Sequence, residues 1–165
     1  MPRLPFDPIE RAGELWADKV GDPTAMKVVT SVMRVQQVLL ARIDALLRPY
    51  GVTFARYEVL VLLTFSRTGR LPLSKMGERL MVHPTSVTNA IDRLEASGLV
   101  RRVPDADDRR RTLAELTARG EQVVREATAA LQEAQFFLER TSAQDRDDLY
   151  ELLRRTRADA DDFPT

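Results

Sequence analysis

Residues 105–111 read Asp-Ala-Asp-Asp-Arg-Arg-Arg, three carboxylates followed by three guanidinium groups. Arginines gathered at one point of a chain suit anions, and phosphate above all, because the planar fork presents paired donors. An arginine held loosely loses roughly 2 kcal/mol of rotamer freedom when it is fixed. A neighbouring carboxylate can hold it beforehand. Asp108 stands two residues before Arg110, so in an extended strand both project to one side. The spacing predicts that Asp108 orients Arg110 while Arg109 and Arg111 face phosphates. A solvated turn carrying exposed ion pairs of little energetic value has the same composition. The flanks distinguish the two. Leu99–Val103 and Thr112–Leu116 are short runs capable of β structure, with Pro104 and the aspartates between them. Together they predict a hairpin with arginines at its tip, where a guanidinium suits the negative potential of a narrow DNA minor groove.

The segment just before, HPTSVTNAIDRLEASGLV (83–100), divides into two faces. Val87, Ala90, Ile91 and Leu94 recur at helical spacing and should pack inward. Thr85, Asn89, Asp92 and Arg93 then point outward, with Ser86 and Thr88 on the flanks. Small hydrogen-bonding side chains at the start of a helix can read base edges or accept a phosphate. They are also what any helix start prefers. The surroundings favour the first reading: Ser74 can cap a short helix to about Leu80, Met81-Val82-His83 makes a turn, and Pro84 fits the first position of the next helix. The pattern is a helix-turn-helix followed by a β-wing. The DNA-contacting set it predicts is Ser74, Pro84, Thr85, Ser86, Thr88, Asn89 and Arg93, with Arg109, Arg110 and Arg111.

These residues need a framework. A chain of 165 residues can bury a single-domain core. Asp7-Pro8-Ile9-Glu10 predicts a helix from Pro8 to about Val20, stopped by Gly21. A long helix, Pro23 to about Arg48, carries Val28, Val32, Val35, Leu39, Ile43 and Leu46, widened by Val29, Met33, Leu40 and Leu47. So broad an apolar arc requires either a second chain or a large intrachain core. Thr53 should cap a third helix to about Ser66, with Tyr57, Leu60, Val61 and Phe65 inward. Leu71–Leu73 gives a stub of strand, Thr117 opens a long helix to about Arg140, and Ser142 opens a last one to about Ala160. The fold class is mainly α with a small β-wing.

Composition excludes several functions. There is no cysteine, so disulfides and thiolate metal sites are out. No His/Asp/Glu cluster has ligand spacing, no glycine-rich phosphate loop occurs, and no nucleophile–base set is visible; neither a metal, a cofactor nor an enzymatic activity is expected. No apolar run reaches a membrane span and the N-terminus lacks a secretory core, so a cytoplasmic protein is expected. Acidic and basic residues number 25 each, but unevenly: residues 75–111 are net +2 and residues 112–165 net −5. His83, the single histidine, is either a turn residue or a group that answers to pH or a ligand.

Asp108, Arg110, Leu116 and Thr117 form D-x-R-x-x-x-x-x-L-T, and SVTNAIDRLEASGLVRR lies upstream. With these motifs the chain resembles the MarR family of bacterial transcriptional regulators over about residues 25–160. The resemblance implies a homodimer of winged helix-turn-helix lobes on a near-palindromic operator in double-stranded DNA. It also implies repression relieved by a small aromatic or anionic effector. The implied domains are an extra N-terminal helix (1–21) and a MarR-type domain (22–165), with the winged lobe at about 53–117 and dimerisation helices at about 23–48 and 117–160. The extra helix with Trp16 resembles a urate-responsive branch, whose ligand residues match at Trp16 and Arg102. Glu58 stands in place of that branch's Asp, and Ala90 in place of its Arg. Candidate effector residues are therefore Trp16, Met33, Phe54, Tyr57, Glu58, His83 and Arg102, though Trp16 equally suits an aromatic anchor, and side chains at helical spacing such as Met33, Phe54 and Tyr57 are more often plain core. A helical protein-interaction module without specific DNA binding is the competing reading.

Overall fold

The computed structural model describes residues 4–106, 108 and 111–163. These form α1 (Pro8–Lys19), α2 (Thr24–Leu47), α3 (Phe54–Thr64), β1 (Arg70–Pro72), α4 (Leu73–Leu80), α5 (Pro84–Ala96), β2 (Val100–Pro104), β3 (Thr112–Leu116), α6 (Ala118–Glu133) and α7 (Ala143–Asp159). The class is the expected one, helices around a three-stranded antiparallel sheet of order β1-β3-β2.

Several helix starts follow the sequence signals. The Asp7 carboxylate accepts from Ile9 N at 2.9 Å, and Ser142 and Asp145 form a reciprocal capping box. Other starts differ. Asp22 accepts from both the N–H and the hydroxyl of Thr24, so α2 begins at Thr24 and Pro23 lies just outside. Thr53 occupies the cap position of α3 without capping it; the Phe54 N–H instead meets the Asp44 carboxylate of α2 at 2.7 Å. Ser74 is not a cap either: α4 starts one residue before it, and Pro72, which has no side-chain acceptor, holds the cap position. Phe65, expected inward, is 79% exposed because α3 ends at Thr64.

The long helix after the wing is shorter than its pattern. It stops at Glu133, and Gln135, Phe136 and Phe137 take left-handed φ of 45°, 51° and 63°. No Gly or Pro marks this break. It sets the Phe137 ring under the Arg42 guanidinium of α2, 4.4 Å from the ring centre.

One core joins the lobe. Leu47 of α2, Leu60 and Leu63 of α3, Met76 of α4, Ile91 and Leu94 of α5 and Leu131 of α6 are fully enclosed. Each such side chain stabilises the fold by roughly 1.5–3 kcal/mol on burial. Only the C-terminal end of α2 enters this core, through Ile43 and Leu47. Val28, Val29, Val32, Met33 and Val35 of its earlier turns are exposed, as are Leu149, Tyr150 and Leu152 of α7, which has no buried residue. The intrachain core therefore accounts for one end of the apolar arc and leaves the other uncovered. Helix α1 lies on α2 where Gly13 leaves room for the Lys27 stem; a Cβ there would come within 2.7 Å of Lys27 Cδ. The Lys27 Nζ meets Glu10 at 2.7 Å.

Candidate nucleic-acid interface

Helix α5 presents the two faces read from its sequence. Val87, Ile91 and Leu94 are buried, Ala90 is half-buried, and Thr85, Ser86, Thr88, Asn89 and Arg93 are exposed. The start of α5 is tied down locally. His83 holds the cap position, and its Nδ1 accepts from the Thr85 N–H at 3.2 Å. Accepting there requires that nitrogen to carry no proton. Pro84 supplies the fixed φ of the first turn. Between α4 and α5 the chain turns through Met81 in left-handed conformation (φ 54°), and the Val82 N–H closes back on Gly77 O at 3.1 Å. Exposed Ser74, in the first turn of α4, shares an open cleft with Pro84 and Thr88 across this turn.

The wing hangs on two arginine–carboxylate clamps. Across the sheet, Arg70, Glu115 and Arg101 lie in one row, so their side chains share a face. Glu115 is buried, and its two oxygens take the Nε of Arg70 at 2.5 Å and the Nε of Arg101. The Arg101 hydrogen bond, reinforced by that of Arg70, holds the Glu115 carboxyl below the ordinary glutamate range. The next row, Leu71, Ala114 and Arg102, projects to the opposite face. There Leu71 and Ala114 are buried, and Arg102 reaches α5. Its guanidinium meets Asp92 at 2.6 Å and also Glu95, while its N–H donates to Glu95 at 3.0 Å. The hydrogen bond to Asp92, with that to Glu95, raises the Arg102 pKa above its ordinary value. The first clamp fixes the three strands to one another, and the second fixes the wing to α5.

Thr117 anchors the far end. Its hydroxyl donates to Gly98 O at 2.8 Å and accepts from Gly120 N at 3.0 Å, so the residue that caps α6 also binds the end of the α5–β2 turn. Gly98 takes φ +70° in that turn. Gly120 is needed for contact: a Cβ there would stand 2.1 Å from Leu99 O. At the tip, the Arg111 N–H donates to Asp108 O at 2.8 Å, and Arg111 Nε lies 3.2 Å from Asp108 Oδ2. Arg111, expected to face phosphate, is thus paired with Asp108 in an exposed ion pair that an anion can exchange. Arg109 and Arg110, and with them the expected Asp108–Arg110 pairing, lie outside the described residues.

A second open cleft, of about 520 Å3, lies between α3 and α5 and is lined by Ala55, Arg56, Ser86, Asn89, Ala90 and Arg93. Sequence reading placed three of these, Ser86, Asn89 and Arg93, in the DNA-facing set and missed Arg56, which the fold brings in from the first turn of α3.

The effector candidates are dispersed among other roles. Tyr57 is buried, and its hydroxyl lies 3.0 Å from that of Thr128 on α6. Phe54 stacks on it with ring centres 6.2 Å apart. Met33 and Trp16 are 62% and 40% exposed on α2 and α1. Glu58 lies on the exposed side of α3, where desolvation by the surrounding protein raises its carboxyl pKa. His83 caps α5 and Arg102 is clamped. None of the seven lines either of the two clefts. Among the described residues no group of three or more His, Asp or Glu could hold a metal ion, and no helix is long and apolar enough to cross a membrane.

The MarR family model matches residues 55–112. Sco5413, a MarR family transcriptional regulator from Streptomyces coelicolor, is 51% identical and superposes with a TM-score of 0.79 over 86% of this chain and 99% of its own. Sco3205 from the same organism, solved in complex with DNA, is 26% identical with a TM-score of 0.75 over 84% of this chain and 90% of its own. The uncharacterised HTH-type transcriptional regulator YhbI of Bacillus subtilis (strain 168) is 33% identical over 85 residues, 52% of this chain; the match spans about half of that relative, 54%.

Proposed function

The chain belongs to the MarR family, and from that premise we propose that it is a DNA-binding transcriptional regulator, acting as a homodimeric repressor on a near-palindromic operator. The observation that carries this reading is the exposed face of α5, polar throughout its first turns, on a helix whose other face is locked into the core beside a clamped wing. Thr85, Ser86, Thr88 and Asn89 supply donors and acceptors to base edges, with Asn89 suited to adenine and the hydroxyls to phosphate or a thymine methyl. Ser74 and Pro84 border that face across the turn, Arg93 continues it, and Arg109, Arg110 and Arg111 belong to the wing tip that enters the adjacent minor groove.

The dimer is supported by apolar surface that this chain leaves uncovered. Val28, Val29, Val32 and Met33 on α2 and Leu149, Tyr150 and Leu152 on α7 form faces that a second copy of the chain buries. Dimerisation sets two α5 helices in successive major grooves, roughly 10 bp apart. Release by a small aromatic or anionic effector is part of the reading, with Arg102 as its most apt contact: an anion that competes with Asp92 and Glu95 for that guanidinium loosens the wing from α5. Trp16, Met33, Phe54, Tyr57, Glu58 and His83 are the further candidates for contact with such a molecule.

The test is fluorescence anisotropy of the full chain with duplexes from the region upstream of its own gene, across a salt series. Tight binding to a near-palindromic segment, well above that to scrambled DNA and falling steeply with salt, is the expected result. A folded dimer that binds neither duplex at low salt sinks the DNA-binding reading and favours a protein-interaction module.

A further inference from the structure

We propose that Arg56 and Arg93 form a seat for a backbone phosphate of duplex DNA, extending the DNA-facing surface from α5 onto the first turn of α3. The seat rests on the DNA-binding reading above and adds a contact from a second helix. Its basis is the contrast between the arginines of the wing base and the two that line the cleft. Arg70 and Arg101 share the Glu115 carboxylate, and Arg102 is held by Asp92 and Glu95. Each of these cations already has a carboxylate. Arg56 and Arg93 have no carboxylate partner among the described residues, and both line the same cleft.

No acidic side chain lines that cleft. Ser86 adds a hydroxyl and Asn89 an amide, so the donors converge with two positive charges on one open volume. Ala55 and Ala90 complete the lining with small side chains. Arg56 is pre-oriented: its Nε donates to the Thr53 hydroxyl at 3.2 Å, which leaves the terminal nitrogens to a ligand. Two like charges lining one open cleft favour an anion there. Continuity identifies the anion. Ser86, Asn89 and Arg93 belong to the exposed face of α5, so a duplex docked on that face carries its backbone across the cleft edge.

The seat contributes charge and register, not sequence information. The experiment measures anisotropy of the full chain and its R56Q, R93Q and R56K variants on operator and scrambled duplexes over a potassium chloride series, with R11Q as a matched control. Circular dichroism and sedimentation first establish that each variant is folded and keeps the parent's oligomeric state. R56Q is expected to weaken both duplexes alike, on the order of tenfold at low salt, and to flatten the log–log salt slope by about 0.9, the loss of one phosphate contact. R56K keeps the charge and most of the affinity, and R11Q, at an exposed arginine of α1 already paired with Glu14, changes affinity less than about twofold. R56Q binding DNA with the parent's affinity and slope overturns the seat and leaves the DNA-binding reading standing. A parent chain that binds neither duplex overturns both. Titration calorimetry with inorganic phosphate adds one arm: Arg56-dependent phosphate binding together with unchanged DNA affinity in R56Q assigns a free-anion site and overturns the DNA assignment.

Discussion

The wing base and the cleft between α3 and α5 are both rich in arginine, yet they differ in what the arginines face. At the wing base, Arg70, Arg101 and Arg102 bind Glu115, Asp92 and Glu95. At the cleft, Arg56 and Arg93 face open volume with a hydroxyl and an amide beside them. The first set holds the strands and the helix at a fixed angle; the second offers charge to a partner. Sequence cannot separate them, because each arginine's partner is far away in the chain: 45 residues for Arg70 and 10 for the Arg102–Asp92 pair. Counting basic residues over a segment therefore misjudges a nucleic-acid surface. What matters is which cations the fold has already neutralised.

The largest expected effect tests whether the two regions share one frame. The Cβ of Gly120→Ala meets Leu99 O, a backbone atom fixed by its bond from the Thr117 N–H at 3.1 Å. Overpacking of this kind costs about 1–3 kcal/mol, several degrees of melting temperature for a chain of this size. The start of α6 and the α5–β2 turn should loosen together, read by thermal unfolding and by hydrogen exchange in both segments. A G120A chain that melts with the parent shows that this contact does not set the frame. A smaller effect sharpens the comparison of charges. Glu115→Gln removes the anion that neutralises Arg70 and Arg101 while keeping the side chain's shape. Two exposed cations are released, and binding to scrambled DNA at low salt should tighten a few-fold, with a slope steeper by up to about 0.9 for each new phosphate contact. If E115Q binds scrambled DNA no tighter than the parent, neutralisation by Glu115 is not what separates the wing base from the cleft.

Much of the fold was legible because it rests on local signals. The caps at Asp7 and Ser142, Pro84 at the first turn of α5, and alternation in β3 each follow from residues within one turn of the event. The inner and outer faces of α5 were legible from its spacing. Where the decisive partner is distant, reading failed. Thr53 makes no capping bond, and the first N–H of α3, that of Phe54, is taken by Asp44 of α2, ten residues before it. The stop of α6 at Glu133 has no Gly or Pro to announce it and goes with packing of Phe137 on Arg42. Arg56 joined the candidate interface through tertiary folding, with no signal in its own neighbourhood. His83 gave a signal that was read too loosely: a histidine just before a helix-initiating proline stands where a cap belongs, and its ring nitrogen serves as one.

The smallest expected effect concerns pH, and it sets two carboxylates of the same lobe against each other. Hydrogen bonds from Arg101 and Arg70 lower the folded-state pKa of Glu115. Such a group contributes stability that is present above its unfolded pKa and lost as pH falls through the folded one. Glu58 has the opposite sign, since partial desolvation of its exposed side chain raises its pKa. Its ionised form penalises the fold at neutral pH, and the penalty disappears as pH falls through the raised value towards the unfolded one. Glu115→Gln should therefore flatten the acid limb of a stability–pH profile measured by denaturant midpoints from neutrality to about pH 3.5, the range in which ordinary carboxylates titrate. Glu58→Gln should steepen it, because the parent's gain on protonating Glu58 is gone. Asp22 and Asp145, lowered by their hydrogen bonds to Thr24 and Ser142, shape the same limb in every variant and cancel in the comparison. Parallel acid limbs for E115Q and the parent mean that the Glu115 clamp leaves wing stability unchanged with pH, and the wing base then depends on shape and not on charge pairing.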